Sequence, residues 1–317
     1  MWVRWSDGKM TRGESMSWPA YLALHEAGDL QRRIVAAEQL MADCRVCPRE
    51  CRTQRLEGER GVCGVADEAI VSSFGPHFGE EAPLVGHRGS GTIFLTGCNL
   101  QCVFCQNSEV SQRGEGKTAS STRLAQMMVA LQRAGCQNIN LVSPTHQTPQ
   151  ILRALAIAID GGLSLPLVYN CGGYESLETL RLLDGVVDIY MPDFKYADAD
   201  AAKRYSGVEH YPAVARAAVR EMHRQVGDLI LDRRGAARRG MLLRHLVLPN
   251  GLAGTEEVVG FLAELSPGTY LNLMAQYRPC HRAHDFPPLA RRPTREEIER
   301  VFHLARAAGL TRLDGVS

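Results

Sequence analysis

From Gly89 onward, short apolar runs alternate along the chain with longer amphipathic segments. Each run is long enough for one strand, and its near-continuous hydrophobicity is typical of strands buried on both faces of a parallel sheet. Six strands are predicted, at Thr92–Thr96, Asn138–Ser143, Pro166–Asn170, Val187–Met191, Leu242–Leu248 and Thr269–Met274.

Apolar residues recur at helical spacing in the intervals between these strands. The last helix opens with a Thr-x-x-Glu capping box at Thr294 and Glu297, a pair of side chains that satisfies free backbone N–H groups at a helix start. Helices are predicted at Thr122–Ala134, Pro149–Ile159, Ser176–Leu183, Pro212–Val226, Thr255–Glu264 and Thr294–Ala308.

This alternation determines the expected fold class. Strands that alternate with helices favour a parallel sheet with right-handed crossovers. Six repeats are too few for a closed eight-fold barrel. We therefore expect an α/β fold, an open partial (β/α)6 barrel with a C-terminal helix, over residues 89–317.

The first 88 residues have a different character. Helical spacing runs from Trp18 to Met41 with a break at Gly28-Asp29, and residues 43–88 are rich in cysteine and glycine. We expect residues 1–88 to form an N-terminal helical and cysteine-rich region that binds metal.

Composition narrows the classes of function. The formal charge of +1 gives no electrostatic reason to expect binding to nucleic acid or to a membrane surface. There is no N-terminal apolar segment of a secretory signal, and no stretch approaches the ~18–20 apolar residues of a membrane span. Ten cysteines in a chain of this size favour metal binding over a disulfide framework. We expect a cytoplasmic protein whose cysteines bind metal.

Three cysteines follow the first predicted strand directly. Cys98, Cys102 and Cys105 have the spacing C-x3-C-x2-C on one short loop. Three such thiolates can hold three irons of a 4Fe-4S cubane, which usually takes four cysteines. The fourth iron would stay open, as the metal does in catalytic zinc sites.

A zinc site is the alternative for these three thiols. A distant cysteine such as Cys136, Cys171 or Cys280 would have to complete it. Structural zinc cysteines usually come as two separate pairs, which the spacing of this loop does not match.

The loop Gly97–Asn107, with the sequence Gly-Cys-Asn-Leu-Gln-Cys-Val-Phe-Cys-Gln-Asn, resembles the signature of the radical S-adenosylmethionine (radical SAM) superfamily. It is most similar to the activating enzymes of glycyl radical enzymes, in the uncharacterised branch named for its similarity to the pyruvate formate-lyase activating enzyme. The resemblance covers roughly residues 44 to 290, and it too implies a partial barrel.

The resemblance implies a reaction. S-adenosylmethionine would bind the open iron through its amine and carboxylate. One electron from the reduced cluster would break the S–C5′ bond, giving methionine and a 5′-deoxyadenosyl radical that abstracts a hydrogen atom from a substrate. An electron donor of the flavodoxin or ferredoxin type is implied as a partner.

Active sites of parallel α/β folds lie at the carboxyl ends of the strands. Asp193 and Lys195 follow the fourth predicted strand and alternate, so their side chains point the same way. Lys195 is expected to oppose a carboxylate of S-adenosylmethionine or of the substrate, and Asp193 to accept hydrogen bonds from polar groups. An exposed salt bridge is the alternative.

The resemblance implies further contacts to S-adenosylmethionine. Phe104 would pack near the adenine, and backbone atoms near Ser143 would bind the amine in place of the Gly-Gly-Glu of related activases. Asn170 and Cys171 would contact the methionine portion, and His245 the nucleoside. Phe104 as a core aromatic and His245 as a satisfied core histidine are the alternatives.

A second group of cysteines lies in the N-terminal region. Cys44, Cys47, Cys51 and Cys63 lie within 20 residues, enough for a closed tetrahedral zinc site or for a second iron–sulfur cluster. Four unligated thiols are the alternative. His77, Glu80 and Glu81 follow closely, and either face the cleft or lie on the solvated surface.

Three functions follow from these observations. We expect a radical SAM enzyme, similar to the activases, that abstracts hydrogen from an unknown protein or small molecule. The first alternative is activation of a partner glycyl radical enzyme. The second, from a different class, is an iron–sulfur electron carrier without enzymatic activity.

Overall fold

The computed structural model describes residues 18–315 as a mostly parallel sheet with helices on its outer side. The strands are β1 Ala69–His77, β2 Ser90–Leu95, β3 Lys117–Ala119, β4 Ile139–Val142, β5 Leu167–Cys171, β6 Ile189–Pro192, β7 Ile230–Leu231, β8 Ala237–Leu246, β9 Tyr270–Met274 and β10 Arg312–Asp314.

Two helices precede the first strand, and the others lie between the strands along the chain. The α-helices are α1 Tyr21–Glu26, α2 Asp29–Ala42, α3 Ala82–Val85, α4 Ser108–Ser111, α5 Ser121–Arg133, α6 Thr148–Asp160, α7 Leu177–Leu182, α8 Ala199–Ser206, α9 Tyr211–Val226, α10 Thr255–Leu265 and α11 Arg295–Ala307.

The predicted parallel strands are confirmed. The order across the sheet is β10-β9-β8-β6-β5-β4-β2-β1-β3, and every pair from β10 to β2 is parallel. β10 and β3 are the two outer strands, so the sheet stays open as an unclosed barrel. The predicted fold class, a partial α/β barrel, is confirmed.

The barrel has its apolar core between sheet and helices. Ile93, Leu141 and Tyr169, on three successive parallel strands, are at most 1% exposed. Burying one such side chain contributes roughly 1.5–3 kcal/mol, so the sheet is stabilised mainly by this layer. All six predicted helices form, and the capping box of α11 is present between Thr294 and Glu297.

The N-terminal region joins the same sheet. The break between α1 and α2 falls at Gly28, whose φ of 73° suits glycine. β1 then pairs antiparallel with β2, with Phe74 opposite Ile93. One sheet therefore contains strands from both sides of residue 88, where the sequence placed the boundary between the N-terminal region and the barrel.

β1, β3, α8 and β10 were not predicted from the sequence. β1 contains Gly75-Pro76, a pair that reads locally as a turn, and it lies in a region rich in glycine and cysteine. β3 and β10 have three residues each and form because a neighbouring strand offers free hydrogen-bonding groups. Within residues 18–315, no helix has the length and apolar character needed to cross a membrane.

Candidate active site

The carboxyl ends of the parallel strands surround a cavity of about 440 Å³, here called the cluster cavity. Its lining includes eleven residues singled out from the sequence, namely His77, Glu80, Cys98, Cys102, Cys105, Phe104, Ser143, Asn170, Cys171, Asp193 and Lys195. Residues at the carboxyl ends of β4, β5 and β6 therefore meet the cysteine loop in one place.

The cysteine loop presents all three thiols to the cluster cavity, and each sulfur has a neighbouring donor. Leu100 N donates to Cys98 Sγ at 3.3 Å, and Ser206 Oγ donates to Cys102 Sγ at 2.9 Å. Cys105 Sγ lies 3.2 Å from a serine hydroxyl of α4. Donors at sulfur stabilise the thiolate form, which is the form that binds metal.

The loop is held by α8, an element that the sequence pattern missed. Val103 N donates to Tyr205 O at 2.8 Å, and Gln101 N donates to Ser206 O at 3.2 Å. These bonds satisfy backbone groups of a loop that has no regular structure of its own.

Desolvation raises the pKa of Cys98 to about 12, and it also raises the pKa of Cys102, where the nearby charge of Lys195 partly opposes it. A cationic group in the cavity would reverse this and favour thiolates. In a cubane each cysteine binds its own iron, so three thiols that line one cavity fit a 4Fe-4S cluster. Among residues 18–315, no three Cys, His, Asp or Glu side chains converge as ligands of one metal ion.

A charged network lies beside the thiols. Lys195 Nζ is 2.6 Å from Asp193 Oδ2, and Arg244 Nε is 2.7 Å from Asp193 Oδ1. Arg244 also donates to Asn170 Oδ1 at 2.6 Å. The side chains of Lys195 and Asp193 are 17% and 16% exposed, so the pair is largely buried and differs from the exposed salt bridge considered above.

The network keeps its members ionised. Burial would raise the pKa of Asp193, but the charges of Arg244 and Lys195 outweigh it and hold that pKa below its usual range. Burial acts to lower the pKa of Lys195, and the Asp193 carboxylate reverses this, so the pKa is raised. The cavity therefore carries a charged ammonium at neutral pH.

Arg244 was not recognised from the sequence. It lies on β8, where Asp193 pairs with it across the sheet. The available signal was a lone charged residue inside an apolar strand, since such a residue needs a partner when it is buried. That partner is 51 residues away in the chain, and no local pattern identifies it.

Phe104 lines the cavity and is 5% exposed. Its ring packs edge-on against Tyr277 and Tyr196, with ring centroids 5.9 and 6.3 Å away. Phe104 is thus both a cavity wall and a core aromatic, because one face is packed and another borders the open space.

Ser143 and His146 follow β4 but have different surroundings. Ser143 lines the cavity with a φ of 57°, and its N–H donates to Asn170 O at 2.9 Å. His146 is 1% exposed, and its Nε2 donates to Thr96 O at 2.8 Å. Burial lowers the pKa of His146 to about 4, so this neutral ring supports the start of the cysteine loop from behind.

His245 lies outside the cluster cavity and is fully buried. Its Nδ1 donates to Phe194 O at 2.6 Å, which leaves Nε2 to accept from Thr255 Oγ1 at 2.9 Å. Burial lowers its pKa to about 4. Both ring nitrogens are occupied within the protein, which is the arrangement of a satisfied core histidine.

Glu175, a buried carboxylate, lies just behind Cys171 and was not singled out from the sequence. It accepts from Thr145 Oγ1 at 2.7 Å and from Tyr169 OH at 3.1 Å. Burial raises its pKa to about 7. Burial, together with this carboxylate, also raises the pKa of the Cys171 thiol.

The N-terminal cysteines lie close to the cysteine loop. Cys44 and Cys47 are buried, Cys51 and Cys63 are half-buried, and a Cβ added at Gly61 would lie 2.8 Å from Cys51 Sγ. Burial raises the pKa of Cys47, and so do the other three thiols, as expected for four sulfurs in one neighbourhood.

The N-terminal region also contacts the cysteine loop directly. Arg49 Nε donates to Asn99 O at 2.8 Å. Cys63 and Cys98 line a common cavity of about 330 Å³. Cys136 and Cys280 lie outside both this cavity and the cluster cavity.

Comparison with known proteins agrees with this geometry. Residues 92–232 match the family model of the Radical SAM superfamily. The uncharacterized protein MJ0674 of Methanocaldococcus jannaschii is 32% identical over 285 residues, which make up 87% of this chain and 78% of that protein. The chain belongs to the radical SAM superfamily, and the prediction of that superfamily is confirmed.

Membership has direct consequences for the cofactors. The protein is an enzyme of a class that uses a 4Fe-4S cluster and S-adenosylmethionine, so the alternative of an electron carrier without enzymatic activity has no support. Enzymes of this class require an electron donor.

Two solved structures are similar in fold. A radical SAM methyltransferase from Sphaerobacter thermophilus has a TM-score of 0.45 and 17% identity, covering 70% of this chain and 65% of that one. SuiB from Streptococcus suis, bound to the precursor peptide SuiA, has a TM-score of 0.45 and 10% identity, covering 67% and 43%. The chain spans less than two thirds of either structure.

Proposed function

We propose that this protein cleaves S-adenosylmethionine reductively and abstracts a hydrogen atom from an organic substrate bound beside the cluster cavity. One observation carries this proposal. The three thiols of the Cys98–Cys105 loop line the same cavity as the buried ion pair of Asp193 and Lys195.

Cys98, Cys102 and Cys105 would hold the 4Fe-4S cluster. When bound, the cluster and S-adenosylmethionine supply one electron and a 5′-deoxyadenosyl radical, and thus the reactive chemistry. The protein's own residues position the reactants and exclude water. No protein side chain is needed as a general base for hydrogen abstraction.

Each of the other lining residues would contact a different part of S-adenosylmethionine or of the substrate. The Lys195 ammonium offers a positive charge to a carboxylate, and Asp193 orients it through their ion pair. Asn170 Oδ1 is held by Arg244, which fixes the amide that faces the cavity. Phe104 supplies an apolar surface for the adenine, and the backbone at Ser143 supplies polar atoms for the amine. Cys171 lies on the wall beside them.

His245 takes no direct part in this proposal as a ligand contact. Its hydrogen bond to Phe194 O fixes the backbone between Asp193 and Lys195, so it supports the ion pair from within the core.

We propose that Cys44, Cys47, Cys51 and Cys63 hold a second metal centre. An iron–sulfur cluster, in which each thiol binds its own iron, fits the described side chains as they lie, whereas zinc would require the four thiols to move together around one ion. The support for this is chemical, since four thiols occupy one neighbourhood. Metal there would stabilise residues 43–63, which lie against the cysteine loop.

The assignment to a branch within the superfamily rests on the sequence of the loop Gly97–Asn107. We propose an activase-like enzyme of unknown substrate, reduced by a donor of the flavodoxin or ferredoxin type. Activation of a glycyl radical enzyme is the protein-substrate form of this proposal. A glycyl radical doublet in the EPR spectrum after mixing with such a partner would identify it.

The proposal is tested by anaerobic reconstitution with iron and sulfide, followed by iron counting and assay of 5′-deoxyadenosine. We expect the triple variant Cys98→Ala, Cys102→Ala, Cys105→Ala to lose about four irons and all 5′-deoxyadenosine formation. Cys136→Ala is the matched control and should keep both. Zinc at the triad, or full turnover without its thiols, would overturn the proposal.

A further inference from the structure

A second cavity, of about 560 Å³, adjoins the cluster cavity at the carboxyl ends of β8 and β9. The walls of both cavities include Glu80, Arg244 and Gln276. The second cavity is also lined by Glu81 and Asp314, so three carboxylates border it, and we call it the acidic cavity. A molecule bound in the acidic cavity therefore lies next to the cluster cavity, which the three thiols line.

Glu81 has an unsatisfied oxygen in this wall. Its side chain is only 6% exposed. Its Oε1 accepts from Asn272 Nδ2 at 2.9 Å and lies 3.8 Å from Arg244 Nη1. Its Oε2 is buried and has no hydrogen-bond partner among the described residues. A buried carboxylate oxygen without a donor is costly, so the position suits a ligand that brings one.

The one guanidinium in the wall shares its main counter-charge, Asp193, with Lys195. Arg244 is held by Asp193 at 2.7 Å and by Asn170 at 2.6 Å, on the side of the cluster cavity. Glu80 has a histidine partner, His77, at 3.0 Å. Four carboxylates (Asp193, Glu80, Glu81 and Asp314) thus stand against two cations (Lys195 and Arg244) around the two cavities, so the balance of charge is negative.

The arrangement favours an organic cation. Within residues 18–315 the carboxylates do not gather into a set of three ligands around one metal ion. Carboxylates spread along a wall, with amides from Asn272 and Gln276 between them, match the several N–H donors of an ammonium or guanidinium group.

We infer that the acidic cavity binds the ammonium or guanidinium group of the substrate, with Glu81 as its main acceptor. The neighbouring carbons of the substrate then extend toward the cluster cavity across the shared wall. The inference rests on the proposed function for the reaction itself, while the binding of a cation has its own readout, the heat of titration, which does not require turnover.

The test is calorimetric titration of the cluster-loaded, S-adenosylmethionine-bound protein at low salt. Butylammonium and the capped peptide acetyl-Gly-Lys-Gly-amide are the cationic probes, and butanol and acetyl-Gly-Glu-Gly-amide are their neutral and anionic counterparts. We expect a cationic probe to bind at least about tenfold tighter than its counterpart, as one charge-assisted hydrogen bond would produce. Binding of butylammonium alone indicates a small amine, and binding of the peptide alone indicates a protein substrate.

Two variants make the test specific. Glu81→Gln should weaken the binding of the cationic probe about tenfold. Glu68→Gln, an exposed carboxylate away from both cavities, should leave it unchanged. Thermal melting checks that the Glu81→Gln variant folds. If the variant does not fold, the comparison of cationic with neutral and anionic probes on the wild-type protein tests the inference.

Equal binding of cationic and neutral probes, or no binding of either cation, would overturn the inference, as would an unchanged dissociation constant in folded Glu81→Gln. Failure of the proposed function has a different signature, which is the absence of 5′-deoxyadenosine from wild-type protein assayed without any probe.

Discussion

Asp193 and Arg244 are paired twice, once through the backbone as neighbours across the sheet and once through an ion pair of 2.7 Å. The same carboxylate holds Lys195 at 2.6 Å. One side chain thus balances two buried cations at the edge of the cluster cavity.

Replacing this carboxylate should destabilise the protein strongly. Asp193→Asn leaves Lys195 and Arg244 largely buried without their counter-charge, and we expect a loss of about 3 kcal/mol in the free energy of unfolding. Urea denaturation measures it. Asp184→Asn is the control, because the ion pair of Asp184 with Arg224 is 40–52% exposed and should be worth less than about 1 kcal/mol. Equal losses in the two variants would refute the account of the network.

The buried Glu175 should give the protein a pH dependence of stability. Its folded-state pKa is about 7 against an ordinary value of 4.5, so between these two pH values the folded state binds more protons than the unfolded state. The contribution of Glu175 to stability therefore falls as pH rises through this window.

Glu175→Gln isolates this effect. We expect the free energy of unfolding of the variant, relative to wild type, to rise by about 3 kcal/mol between pH 4.5 and pH 8. Urea denaturation across this range measures the difference. Glu68→Gln, with an exposed carboxylate, should give a flat difference. A flat line for Glu175→Gln as well would show that the carboxyl is not buried as described.

Two glycines with nearly the same φ allow the energetic cost of backbone strain to be measured separately from the cost of a steric clash. Gly97 and Gly162 have φ values of 86° and 88°. A Cβ at Gly97 would overlap the carbonyl oxygen of Cys63, whereas a Cβ at Gly162 meets nothing within 4 Å.

Gly162→Ala should therefore cost about 1–2 kcal/mol, from the left-handed conformation alone. Gly97→Ala should cost roughly 1–3 kcal/mol more, because the backbone of the N-terminal region must move away from the cysteine loop. Chemical denaturation of both variants checks this. Equal costs would mean that Cys63 does not pack against Gly97.

The hydroxyl of Ser206 should tune the cluster. It donates to Cys102 Sγ at 2.9 Å, and hydrogen bonds to ligand sulfurs raise the reduction potential by stabilising the reduced, more negative state. Ser206→Ala should shift the potential of the reconstituted cluster to a more negative value, measured by an EPR-monitored redox titration. Ser164→Ala, an exposed serine, should leave the potential unchanged. A positive shift for Ser206→Ala would contradict this role.

The sequence by itself determined the features that depend on neighbours along the chain. The alternation of apolar runs and helices gave six parallel strands, because burial on both faces of a sheet requires continuous hydrophobicity. The spacing of Cys98, Cys102 and Cys105 placed three thiols on one loop after the first of those strands. Asp193 and Lys195 shared a direction because residues two apart in a strand do so.

The tertiary structure decided what depends on partners far apart in the chain. Arg244 joins Asp193 only because β8 lies beside β6, and β10 exists only because β9 offers it a free edge. His245 is satisfied within the core by Thr255, and Glu81 Oε2 has no donor among residues 18–315, because distant elements bring a partner to the first and none to the second. Pairing across a sheet produces no periodic pattern in the sequence of either strand, so the ion pair of Asp193 with Arg244 was visible only in the three-dimensional structure.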